Sequence, residues 1–535
     1  MKNRFKNLGV LLFALSMTNC SNEFLEVVPT DQLSSATFWN TENDAKMALA
    51  SCYANFDSYM NVAYLDTGSD NAYQKNNFWY ETLANGNQTA VSSPNNLYGN
   101  WLDKNSHTYF LYTRIRNFNS FLENIGKVKM DEKIKARYIA EVRFLRAYDY
   151  FWKVMFYGDI PLVTKTFANP SDANLPRTPK AEVEAFILKE LSECAADLPE
   201  YNMIESNGHV TRGAAYALKA RLELYLGQYD AAKQSAAKVI EMSCFELFPD
   251  YKEMFHETSE GTNKEAIMSI KYNNTTNAQR LTQTLPPCSQ GGYASIDVTW
   301  DMVEAYQMSN GKYIDDAGSG YDVDRPFDNR DPRFEASVVY PGGYYNGALY
   351  NPLDKLIDGV KNVDNYSMNT NGSLSGTNVI KFVHPVDFSM VNYYDADIMV
   401  IRLAEVYLIY AEAAWKTGSD MDKGLEYINR IRSRAGMPAA TKLDEKTVKY
   451  ERRVELAFEG LRYFDIKRWD LGPTVFNRAI KGCRKGTMDK EGNITWTGDH
   501  VVMEKRKFDP ARKYLLPIPQ AELDRNPEMT QNEGY

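Results

Sequence analysis

The chain has 535 residues, with 61 Lys and Arg against 70 Asp and Glu, a formal charge of −9, and 13% aromatic residues. That balance, with no basic tract, speaks against nucleic acid as a partner and against adhesion to anionic lipid by charge. Five cysteines beyond Cys20 (Cys52, Cys194, Cys244, Cys288 and Cys483), with no Cys-x-x-Cys spacing, indicate neither a zinc cluster nor a disulfide framework, and leave room for a single pair.

Residues 1–19 have the make-up of an export signal: Lys2, Arg4 and Lys6, an apolar run from Val10 to Leu15, and a short polar stretch ending at Cys20. Its loss removes those three positive charges and moves the formal charge from −9 to −12. The run is too short to span a bilayer, which takes about 20 apolar residues. The other long apolar stretch, Ile398 to Trp415, is interrupted by Arg402, Glu405 and Glu412, so no transmembrane helix is predicted.

The remaining 20–535 reads as one domain, because no Pro/Ser/Gly-rich linker divides it. A capping box of Thr41 and Asp44 opens a first helix over about 41–57, which can pair with 109–126 across a long excursion. Residues 131–157 pair with 179–198. Residues 210–241 form a helix, a turn at Gly227 to Asp230 and a second helix, with Ala214, Leu218, Leu222 and Leu226 on one face and Ala231, Ala232, Ala236 and Val239 on the next. Residues 401–436 repeat the scheme around Gly418. The predicted fold is mainly α: a tetratricopeptide-like helical-repeat scaffold, an alpha-alpha superhelix, with a long loop-rich, irregular half.

Two excursions, 57–108 and 245–400, form that irregular half. Loops this long are usually functional or disordered, and their aromatic density speaks against disorder. The first holds Asp70, Asn71, Asn76, Asn77, Phe78, Trp79, Tyr80 and Trp101. Flat rings beside amides and carboxylates suit a sugar, which offers C–H faces for stacking and hydroxyls for paired hydrogen bonds. In the second, Asp315 to Asp331 is acidic, but Pro326 interrupts the ligand series begun by Asp322 and Asp324, so no metal is expected. No cofactor motif is present, and the five histidines are isolated.

The segment Glu451 to Trp469 is densely ionic and densely aromatic. Val454, Ala457, Phe458, Leu461 and Phe464 recur at helical spacing and predict one buried face. Glu451, Glu455 and Glu459 stack four apart, which requires arginines such as Arg452 and Arg462 to offset their repulsion. The expected role is a structural ion network rather than a catalytic pair.

This segment resembles the C-terminal signature of the SusD/RagB family of surface glycan-binding lipoproteins. Phe38 to Asp44 with Ala48 and Tyr53, Ala140 to Tyr148, Phe156 to Val163, Asn329 to Phe334, and Tyr514 to Pro527 with Gln531 and Asn532 resemble its other blocks, in order. The resemblance implies a non-catalytic outer-membrane protein, lipid-anchored through Cys20 and facing the cell surface. It further implies that the protein holds oligo- or polysaccharide for nutrient uptake and passes it to a TonB-dependent transporter of the SusC type. It places the glycan platform on the loop after the first helix and on Leu285 to Trp300, which adds Tyr293 and Trp300 to the candidates. The alternatives are a glycoside hydrolase using an Asp/Glu pair, which needs no local motif, and a helical-repeat scaffold that binds protein only.

Overall fold

The computed structural model describes residues 38–54, 56–75, 82–91, 110–201, 208–385 and 394–535. Cys20, Asn76, Asn77, Phe78, Trp79, Tyr80 and Trp101 lie outside the described residues.

The helices pack as a row. Thr41 Oγ1 accepts from the Asp44 amide (3.3 Å) and the Thr41 amide donates to Asp44 Oδ2 (2.7 Å), a reciprocal cap that starts α1, Glu42–Tyr53. It packs against α2, Thr113–Asn124. Next comes α3, Glu132–Tyr157, whose first amides donate to the Asp131 carboxylate and whose last turn is closed by Gly158 at φ +72°. α4 (Lys180–Cys194), α5 (Arg212–Tyr225) and α6 (Tyr229–Ile240) follow, each lying against the helix before it. α7 (Leu403–Thr417) then packs on α6 although the whole 245–400 excursion lies between them, and α8 (Met421–Arg434) packs on α7. A row of helices, each covering the apolar face of its neighbour, is the tetratricopeptide-like superhelix.

Small residues set the spacing. Ala214, Leu218, Leu222, Ala232, Ala236 and Val239 are fully buried, whereas Leu226 and Ala231 sit at the margin. At α7–α8 a Cβ on Gly424 would come 2.7 Å from Leu443 Cδ2 and 3.3 Å from Ala411 Cα, so only glycine permits that approach. The five cysteines are free thiols; Cys52, Cys194 and Cys483 are buried. No helix among the described residues is long and apolar enough to cross a membrane.

The excursions are folded onto this row. β1 (Ala72–Tyr73), β3 (Asp297–Val298), β9 (Asn378–Val379) and β4 (Val338–Val339) form a four-stranded sheet in the order β1-β3-β9-β4, so the two excursions share one sheet. β2 (Ala266–Ile270) pairs with β10 (Ile398–Arg402) and returns the second excursion to α7. Two small hairpins, β5–β6 (Tyr344–Tyr345, Ala348–Leu349) and β7–β8 (Leu356–Ile357, Val360–Lys361), project from it. A long ribbon, β11–β12 (Ala479–Met488, Ile494–Lys505), precedes the last short helix, Gln520–Arg525.

The single helical face predicted for 451–469 is corrected: two helices carry it. α9, Glu445–Glu455, stops, and α10 starts again at Arg462 and runs to Arg468. Between them Phe458 takes φ +67° while its amide donates to Asp66 Oδ2 (2.6 Å). Gly460, at φ +75°, lies where a Cβ would come 3.0 Å from the Asn61 carbonyl oxygen. The chain leaves the helix because a buried carboxylate takes its amide and a neighbouring backbone needs the space. The five apolar side chains are nevertheless all buried.

An ion network is present and joins the two halves, but not through the expected arginines: Arg452 pairs with Asp465 and Arg462 with Asp70, and the glutamates are met by cations from other segments. Arg402, at the end of β10, donates to Glu265, Glu455 and Glu459, each at 2.7 Å. Arg333 donates to Asp331, Glu451 and Glu455, and Arg432, Arg434 and Lys381 complete the cluster around Glu451, Glu265, Glu455 and Glu459. Such groups offer little net stability over an apolar core, but removing one member leaves an uncompensated buried charge.

Candidate functional site

The structure moves several sequence-predicted residues off any accessible surface. Asp70 is 1% exposed and its carboxylate is held by Arg462 Nε (2.8 Å), Arg462 Nη2 (3.0 Å) and Arg453 Nη2 (3.1 Å). Burial alone would raise its pKa, but Arg453 and Arg462 outweigh burial and hold it well below the carboxylate range. Asn71, fully buried, accepts from Arg453 Nε (3.0 Å) and donates to Asp66 Oδ2 (3.1 Å). Both therefore fasten the first excursion to α9 and α10 and are not open to a ligand. Trp300 opens the helix Trp300–Ala305, capped by Thr299, and is 6% exposed. Its indole donates to Glu304 (2.7 Å) and packs on Phe327 and His500, so it is a core residue.

Tyr293 is only half-buried, and its hydroxyl accepts from Gln283 Nε2 (3.2 Å). It sits in the loop 286–294, which is tied to two others. The Lys75 ammonium donates to the carbonyl oxygens of Ala294 (2.9 Å), Asn371 (2.7 Å) and Gly372 (2.6 Å), which uses all three of its hydrogens. Burial lowers the Lys75 pKa, an effect opposed by the nearby Asp297. The Ser289 amide donates to Asp364 (2.9 Å), and Asn346 Nδ2 donates to Gln290 Oε1 (3.1 Å). Loops 286–294, 344–349 and 363–373 thus form one fastened surface at the end of β1, where the chain runs on from Lys75 to the predicted aromatic segment.

The side chains exposed on that surface are of kinds that can meet a sugar. Tyr344 is 67% exposed and Tyr366 is 37% exposed, with the amides of Gln290, Asn346, Asn369 and Asn371 in the same loops. A phenol ring stacks on C–H faces while amides donate and accept at once. Tyr344, Tyr366 and Lys75 were not singled out in sequence. The Tyr/Asn/Gly richness of the second excursion pointed to the region, but nothing local marks Lys75.

The carboxylates there do not make a hydrolytic pair. Asp297 is fully buried and accepts from Ser373 Oγ (2.7 Å) and the Leu374 amide (3.1 Å), and burial raises its pKa. Glu455 is likewise fully buried and Glu459 nearly so, both among the arginines described above. Among the described residues no group of His, Cys, Asp and Glu could hold a metal ion.

Comparison with known proteins agrees with this architecture. Residues 252–535 match the model of the SusD family, and residues 23–226 match one described as starch-binding associating with outer membrane. A SusD-like protein of Bacteroides ovatus is 24% identical over 98% of this chain and 96% of its own. The starch-binding protein SusD of Bacteroides thetaiotaomicron is 26% identical over 81% of this chain and 80% of its own. The crystal structure of a SusD-like carbohydrate binding protein from Bacteroides fragilis superposes with a TM-score of 0.80 at 27% identity, covering 92% of this chain and all of that one. The Bacteroides thetaiotaomicron and Bacteroides fragilis proteins are named for binding and not for catalysis.

Proposed function

The chain belongs to the SusD family, and from that premise we propose that it holds oligo- or polysaccharide at the outer membrane without cleaving it. The observation that carries the reading is the fastened loop surface, where exposed Tyr344 and half-buried Tyr293 stand among amides. In this reading Phe78, Trp79, Tyr80 and Trp101 extend the stacking surface. Asp70, Asn71 and Trp300 anchor it from within. The starch-binding and carbohydrate-binding names of the relatives support the class of ligand. A lipid on Cys20 would hold the protein to the membrane, and a SusC-type TonB-dependent transporter would receive the glycan, as the family resemblance implies.

The test is affinity electrophoresis through gels containing individual soluble glycans, together with an assay for reducing ends. Retardation by at least one glycan with no new reducing ends after prolonged incubation is the expected result. Turnover that vanishes on changing one Asp or Glu would establish a hydrolase instead.

A further inference from the structure

A cavity of about 570 Å³ lies away from these loops, within the range of about 300–1,000 Å³ usual for small-ligand sites. Met268 and Met399, from β2 and β10, line it. His256 and Glu260, from the turns following α6, and the Lys271–Asp397 ion pair form its polar side. No residue of the 286–294, 344–349 or 363–373 loops lines it.

Two independent features point to an occupant. First, His256 is 4% exposed and its Nε2 has no hydrogen-bond partner. Burial and the neighbouring His384 push its pKa down to about 4, so the ring is neutral at pH 7. Its Nδ1 faces the Glu253 carboxylate at 3.8 Å; a proton placed there leaves Nε2 as an acceptor inside the protein. Second, carboxylates outnumber cations. The Asp397 amide donates to Glu260 Oε1 (2.8 Å), which brings the two acids together. Burial and the Asp397 carboxylate raise the Glu260 pKa, and Asp395 adds to the repulsion. Lys271, paired with Asp397 and also favouring the Glu260 charge, is the one Lys or Arg that lines the cavity.

We propose that this cavity binds an amino sugar. Its ammonium lies between Glu260 and Asp397, a ring hydroxyl donates to His256 Nε2, and its C–H face rests on Met268 and Met399. A zwitterionic amino acid is disfavoured because its own carboxylate would meet the same acids.

Isothermal titration of the purified protein with glucosamine, and with N-acetylglucosamine as the uncharged control, tests this. Binding of glucosamine and at least tenfold weaker binding of the acetylated sugar are expected, since a charge-assisted hydrogen bond is lost. Glu260→Gln, which keeps the side chain's shape and removes its charge, is expected to weaken glucosamine by about tenfold. His256→Phe, which keeps the ring and removes the acceptor, is expected to weaken both sugars. No heat with glucosamine at about 50 mM, where even a Kd of several mM would register, overturns the proposal. So does equal affinity for the two sugars, or glucosamine affinity unchanged in Glu260→Gln.

Discussion

Glu455→Gln tests the division between scaffold and site. Glu455 is fully buried; its Oε1 accepts from Arg402 Nη1 (2.7 Å) and Arg434 Nη2, and its Oε2 from Arg333 Nη1 (2.9 Å). Glutamine keeps the shape but removes the charge and turns one acceptor into a donor facing a guanidinium. Breaking a buried charge network in this way costs about 3–5 kcal/mol. With an unfolding entropy of about 2.1 cal/mol/K per residue, about 500 residues unfolding together give about 1 kcal/mol/K, so the melting temperature should fall by about 3–5 °C. The pH dependence adds a check. Burial would raise the Glu455 pKa, but Arg434, Arg402 and Arg333 together hold it well below the usual range. Its stabilisation is complete above the unfolded carboxylate pKa of about 4.3 and is lost as pH falls through the depressed folded value. The stability gap between wild type and variant should therefore narrow on acidification. Calorimetry across pH and glycan titration of the folded variant read out both effects, and affinity should stay at the wild-type value. An unchanged melting temperature would refute the structural assignment, as would weakened glycan binding in a variant of full stability.

Lys75→Met removes the ammonium that joins Ala294 to Asn371 and Gly372, and is expected to weaken glycan binding by about tenfold as the loops separate. Unchanged affinity would show that the loops hold without it. Trp79→Ala is expected to weaken binding by about 10- to 100-fold, the loss of one stacking ring at about 1–3 kcal/mol, with little change in melting. A large fall in melting temperature with unchanged affinity would mark Trp79 as core. Cys20→Ala is expected to move the protein from the membrane fraction to the soluble periplasm, because acylation is the one anchor expected from sequence; unchanged fractionation would count against lipidation.

The helical scaffold was legible in the sequence because its determinants are local. Thr41 and Asp44 lie three residues apart, and Ala214, Leu218 and Leu222 face one way by helical period alone, so the cap and the buried stripe follow from spacing. The ionic character of Glu451 to Trp469 was legible for the same reason. What spacing could not supply was which polar residues of the excursions face water. Asp70 looks like a loop carboxylate until Arg462, 392 residues away, closes on it. Trp300 becomes core because Phe327 and His500 reach it from other segments. The helix predicted through Phe458 breaks because Asp66 takes that residue's amide, and Lys75 becomes a clamp only when three distant carbonyls converge on it. Local period decides which face of a helix is apolar, whereas desolvation and charge pairing depend on what arrives from elsewhere in the chain. Only the tertiary structure therefore shows that Asp70, Asn71 and Trp300 are buried anchors while Tyr344 and Tyr366 stay exposed.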